Sequence, residues 1–216
     1  MLPFLAFRSH LNKVILIIIA SDFLVTTGAT LLAPIFALFI TGQIQGGSVR
    51  AVGFAIAIYW AVKSVLQLPI ARFIDKNRGE ADDYYSMIGG LFLGSIVIAL
   101  YFFAARVWHV YALQALLGVT DAFLIPPFYA VFTRHIDKGN EGFEWSLRSS
   151  VSFGGGSALG GALGGILLAI VGFRNIFLLA AALYFLSAII LTLLRPYIIP
   201  RTSLPVERTL IEQKRI

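Results

Sequence analysis

The sequence predicts an all-α membrane protein, a bundle of six transmembrane helices. Three observations carry that reading. The chain has 216 residues, of which 58% are hydrophobic and only 13% charged, against about 25% charged in a soluble domain. Its apolar residues fall into runs at 14–40, 49–72, 86–105, 108–133, 145–171 and 175–194. Each run reaches the roughly 20 residues that a helix needs to cross a bilayer. Lys and Arg are divided unequally: twelve lie in or beside the longer connections, and Arg50, Arg106 and Arg174 alone mark the short ones. By the positive-inside rule both termini are then cytoplasmic. The expected location is an integral protein of a prokaryotic cytoplasmic membrane.

Taken in order, residues 1–13 form a basic cytoplasmic segment, 14–194 the six-span bundle and 195–216 a polar, basic cytoplasmic tail. Span 1 is too long for the apolar core of a signal peptide, about 7–15 residues, and Asp22 interrupts it. Span 2 returns after Thr41–Ser48 and carries Lys63. Span 3 has no ionisable residue. Span 4 follows the short turn at Arg106–Val107 and carries Asp121. Span 5 carries Arg148, and span 6 follows the turn Gly172–Arg174 with no charge. The order acid, base, none thus occurs twice, as expected of two three-helix inverted repeats. The net charge of +6 sits in connections rather than in a patch, which argues against nucleic acid. Cysteine is absent, so disulfides and thiolate metal sites are excluded, and no metal or cofactor is expected. No Gly-x-Ser-x-Gly, His-Glu-x-x-His or Walker loop occurs, so an enzyme or nucleotide-driven pump is not expected.

Four intramembrane charges define the candidate site. Each would cost ~2.5–3.5 kcal/mol at a lipid-facing helix centre, so Asp22, Lys63, Asp121 and Arg148 should face protein or water. Helical spacing puts Asp22 with Thr26, Ala29 and Ala33, and groups Trp60, Lys63 and Gln67 with Tyr59 adjoining. It likewise groups Gln114, Gly118 and Asp121. These are the expected solute and coupling residues. The structural alternatives are an Asp22–Lys63 ion pair, packing roles for Tyr59 and Trp60, and an Arg148 that snorkels to the interface. His10, His109 and His135 fall at span ends and read as interfacial.

Small residues form the second pattern. Ser152, Gly156, Gly160 and Gly164 recur every four residues, with Ser157, Gly161 and Gly165 beside them. Gly53, Ala57 and Ala61 make a matching ridge on span 2. In lipid such ridges are packing surfaces. The expected dimer interface is Gly53, Ala57 and Ala61 of one copy against Gly156, Gly160 and Gly164 of another.

The loop Ala71-Arg72-Phe73-Ile74-Asp75-Lys76-Asn77-Arg78-Gly79 resembles the cytoplasmic signature of the major facilitator superfamily. It has Ala71 for the usual Gly and one extra residue before Gly79. Gln114, Gly118, Ala122 and Pro126 are similar to that family's fourth helix, with Gln114 where Arg is frequent. The run Gly160-Gly161-Ala162-Leu163-Gly164-Gly165, then Gly172-Phe173-Arg174 and Phe177, resembles its fifth helix, outer turn and sixth helix. The chain thus resembles one six-helix half of such a transporter. The resemblance implies that helices 1, 2, 4 and 5 line a central cavity and that 3 and 6 face lipid. It also implies that the second helix of one half packs on the fifth-helix equivalent of the other, and that Asp75, Lys76 and Arg78 gate the cytoplasmic side.

The function expected from these readings is secondary active transport. A parallel homodimer, embedded in membrane lipid, would work by alternating access on a small polar solute such as a sugar, with protons as coupling ion. Its physical premise is that one six-span chain leaves four charges facing lipid, at a cost on the order of 10 kcal/mol, and that a second copy covers them. The alternatives are a non-transporting membrane subunit that needs a separate partner, and a channel.

Overall fold

A computed structural model describes residues 12–76 and 79–198. The fold is all-helical. Five helical elements are long and apolar enough to cross a membrane. Helix α1 runs Lys13–Gln43, α2 Val49–Lys76, α3 Ala81–Leu100 and α4 Val107–His135. Helix α5, Glu141–Arg148, passes through a π-helical turn, Ser149–Gly155, into α6, Gly156–Thr192. Asn12 caps α1 by accepting a hydrogen bond from the Val14 amide at 2.9 Å, which satisfies one free N–H of its first turn.

Helix α6 is broken at Gly172, where φ is 78° and ψ 171°. Only glycine adopts such a backbone without strain. The chain reverses there. Ser152, before the break, donates to the Ile19 carbonyl at 2.9 Å, while Ser187, beyond it, meets the Ser21 hydroxyl at 2.6 Å. Both ends of the broken helix therefore lie at the same level of α1.

Helix α1 packs against both arms of α6, α2 packs mainly on α4, and α3 sits between α4 and α6. The core falls into two clusters. One, around Leu31, Ile35, Phe39, Tyr101 and Phe177, lies toward the α1–α2 and α3–α4 turns. The other, around Ile18, Met87, Phe132 and Leu191, lies toward the chain termini. Helix α2 contributes only Ala51, Ala55 and Ile74 to the buried set and is the least covered of the five elements.

The glycine ridge finds its partner within the chain. A Cβ on Gly156 would lie 3.0 Å from the Phe23 carbonyl, one on Gly164 2.7 Å from that of Leu31, and one on Gly160 would strike the Thr27 carbonyl and Thr30 hydroxyl. Gly156, Gly160 and Gly164 are buried against α1. They are thus spent on an intrachain contact rather than available to a second copy. The reason is the angular split of the small residues: one stripe seats α1, and the neighbouring stripe with Gly161 and Gly165 has nothing within 4 Å. The other proposed ridge, Gly53, Ala57 and Ala61, is exposed, with open space at Gly53.

Candidate functional site: a charged cavity between α2 and α4

Gly118 on α4 sets this site. A Cβ there would sit 2.7 Å from the Tyr59 carbonyl and 3.1 Å from the Lys63 amide, so only glycine lets α2 and α4 come this close. One turn along α4, Asp121 accepts a short hydrogen bond from the Tyr59 hydroxyl. The same carboxylate oxygen lies 3.5 Å from Lys63 Nζ. Lys63 in turn donates to the Tyr59 hydroxyl at 3.2 Å and stands 4.8 Å from the centre of the Trp60 ring. Each of the three groups thus touches the other two. The aromatic faces add a cation–π attraction to the ion pair, which compensates for the loss of water around the ammonium.

The Asp121 carboxylate faces a cavity of about 280 Å³. Tyr59, Trp60, Gln114 and Asp121 line it with Ala29 and Ala33 of α1, so four of the expected solute residues converge. Most of the remaining wall is apolar or aromatic: Phe36, Ile98, Leu117, Phe177, Tyr101 and Tyr184. Tyr101 is 2% exposed, and its hydroxyl has no hydrogen-bond partner among the described residues. A buried hydroxyl without a partner is costly. Sequence reasoning missed Tyr101 and Tyr184. Tyr184 carried a signal, being a polar aromatic in the middle of an apolar run; Tyr101 at a span end looks like any interfacial tyrosine.

The second ion pair joins α1 to α5. Arg148 Nε lies 3.0 Å from the Asp22 carboxylate. Its guanidinium sits 4.6 Å from the Phe128 ring centre and 5.7 Å from those of Tyr129 and Trp145. Arg148 is therefore packed among rings rather than snorkelling. The Asp22–Lys63 alternative is also overturned: Asp22 pairs with Arg148, and Lys63 with Asp121. A contact across two helices cannot be read from spacing within one. All four charges are thus partnered inside one chain, and the argument that a lone chain shows them to lipid does not hold.

The remaining expected residues lie apart. Gln67 faces a different cleft, of about 510 Å³, with Asp75, Thr133 and Arg134. It is one turn beyond Lys63, and α2 has by then left the cavity. Lys76 is exposed at the end of α2, and Arg78 lies outside the described residues. The buried acids of this region are Glu80 and Asp83. Asp83 holds Arg134 in a short ion pair, Glu80 approaches Arg134 at 3.8 Å, and His135 lies 3.0 Å from Glu80. Asn12 donates to the His135 carbonyl at 3.0 Å. His135 is therefore part of a clasp between the start of α3 and the end of α4.

Comparison with known proteins agrees with the resemblance. A family model described as Major Facilitator Superfamily matches residues 18–214. The chain is 35% identical over 116 residues to a Multidrug resistance protein MdtG from Rahnella sp. (strain Y9602), covering 53% of this chain and 26% of that protein. It is 33% identical over 97 residues to the protein of the same name from Proteus mirabilis (strain HI4320), covering 44% and 23%. The chain thus spans about a quarter of the length of these curated relatives. It is a membrane protein, and with the match running over nearly all of its length it belongs to the Major Facilitator Superfamily, a family of transporters and not of enzymes.

Proposed function

We propose that the chain is one half of a secondary transporter that works by alternating access, with the cavity beside Asp121 as its part of the solute site. The observation that carries this reading is the Lys63–Tyr59–Asp121 cluster at the wall of a cavity that Trp60 and Gln114 also line. An apolar wall with a few convergent polar groups suits a small-molecule site. The break at Gly172 supports reading the last element as two spans, and so the bundle as a six-span half. The two ion pairs then join the acid of each three-helix unit to the base of the other, which suits a pair of repeats.

The solute is an amphipathic molecule rather than a sugar. A ring of hydroxyls would face Phe36, Ile98 and Phe177, whereas an aromatic body fits those walls and leaves Gln114 for its polar end. Both relatives are named as multidrug resistance proteins, which favours the same reading. Protons are the coupling ion. A proton taken by Asp121 removes the charge that holds Lys63, and the α2–α4 contact loosens; its release restores the pair.

The test is uptake of a fluorescent amphipathic dye into proteoliposomes under a pH gradient. Asp121→Asn should lower gradient-driven uptake by roughly tenfold or more, as when a group acting in the transport step is removed. Full uptake in that variant would take Asp121 out of the mechanism. The double variant Asp121→Asn, Lys63→Gln separates two roles. Continued failure supports coupling, whereas recovered uptake would mean that the pair only relieves buried charge.

A further inference from the structure

The end of the bundle away from the chain termini has a second cleft, of about 580 Å³, unrelated to the cavity beside Asp121. Arg50 and Arg106 both line it, with Phe54, Trp108 and Tyr111. They are two of the only three basic residues in the short connections. No Asp or Glu occurs anywhere in 23–74 or 84–120. Neither arginine has an ion-pair partner among the described residues, whereas Arg134 and Arg148 each have one. A pair of uncompensated guanidiniums sharing one cleft repels itself unless an anion sits between them.

The backbone builds this juxtaposition. The Gln45 amide donates to the Ala105 carbonyl at 2.8 Å, and Gln45 forms a bridge with Arg106. The α1–α2 and α3–α4 turns are thereby tied together. Gly46 turns with φ 79°, in contact range of Val107, and the Ala51 amide donates to the Ser48 hydroxyl at 3.2 Å to cap α2. The imidazole of His109 accepts from the amides of Ala105 and Arg106 at 3.2 and 3.1 Å. Arg50 and Arg106 are thus presented by a fixed frame, one at the start of α2 and the other at the start of α4. Both helices begin at the cleft, so their positive dipole ends add to the same field.

The rim identifies the anion. Trp108 is 61% exposed and Phe54 56%. Phe54 lies one helical turn from Arg50, on the membrane side of it. A freely soluble anion has no use for this apolar surface. A lipid has its phosphate and its acyl chain in this same order, and tryptophan favours the headgroup level. Guanidinium is also the cation best matched to phosphate, since it donates two parallel hydrogen bonds.

We propose that the cleft between Arg50 and Arg106 is a binding site for the headgroup phosphate of an anionic phospholipid, whose acyl chains lie along Phe54 and Trp108. The full chain, purified in a neutral detergent, is equilibrated with equal amounts of phosphatidylglycerol and phosphatidylcholine, and bound lipid is counted by native mass spectrometry. Wild type should retain phosphatidylglycerol in preference. Arg50→Gln and Arg106→Gln should each reduce that preference about fivefold, and the pair together roughly 25-fold. Both side chains are exposed, so the fold tolerates the change. Arg174→Gln, which removes the third cation of this end from outside the cleft, should leave the preference intact. Equal loss in Arg174→Gln would overturn the site in favour of a diffuse charge effect, and an unchanged double variant would overturn it outright. Wild type alone gives a second reading: the preference should weaken with added salt, and a salt-independent preference contradicts the proposal. Displacement of the lipid by millimolar glycerol 3-phosphate would assign the cleft to a soluble anion instead.

Discussion

Asp121 is held by two groups of different kinds, a phenol that donates a hydrogen bond and an ammonium that supplies charge. Asp83 is a contrasting case. Its carboxylate is fully buried, and its partner Arg134 is more open to its surroundings. Removing the acid therefore leaves a cation that still reaches solvent, while removing the arginine strands a buried acid. Asp83→Ala should cost roughly 1.5–3 kcal/mol, the range for a charged hydrogen bond, and Arg134→Ala more. Thermal unfolding in detergent measures both; the reverse order would show that the guanidinium is the more dependent partner.

At the scale of elements, the paired stripes on α6 make opposite predictions from adjacent glycines. Gly160 admits α1 so closely that Gly160→Ala must push the Thr27 backbone away, at about 1–3 kcal/mol for an overpacked site. Gly161 is open within the chain, so Gly161→Ala in the detergent-solubilised monomer should leave stability unchanged or raise it by the helix propensity of alanine, about 1 kcal/mol. Unfolding midpoints of the two variants distinguish the stripes, and equal values would mean that α1 is not seated on Gly160. The π-helical turn Ser149–Gly155 belongs to the same argument. It lies between Arg148 and the glycine stripe, with Ser152 hydrogen-bonded to α1 within it. The extra backbone slack lets the arginine meet Asp22 while the stripe beyond it still faces α1.

For the whole molecule, the charges no longer argue for a second copy, but α2 does. Its small-residue face, Gly53, Ala57 and Ala61, is exposed in a helix that buries little else. Small residues are a poor surface to offer lipid and a good one for a close helix. The matching open stripe is Ser157, Gly161 and Gly165, which replaces the buried set first expected. Cysteines at Ala57 and Gly161, on the cysteine-free background, should therefore cross-link between two copies in the membrane. A chain that remains monomeric under oxidation and binds a different membrane protein instead would support the partner-dependent subunit.

The sequence alone determined the membrane class, the all-helical character, and the isolated charges within apolar runs, because hydropathy and charge are local properties of the chain. It also marked the small-residue ridges of spans 2 and 5 as packing surfaces, since small side chains let another helix approach. Only the tertiary structure decided who meets whom: Asp22 with Arg148, Lys63 with Asp121, Gly160 with Thr27, and Arg50 with Arg106. Those pairings depend on the azimuth of each helix about its own axis. That angle is set by how several helices pack together, and no single span encodes it.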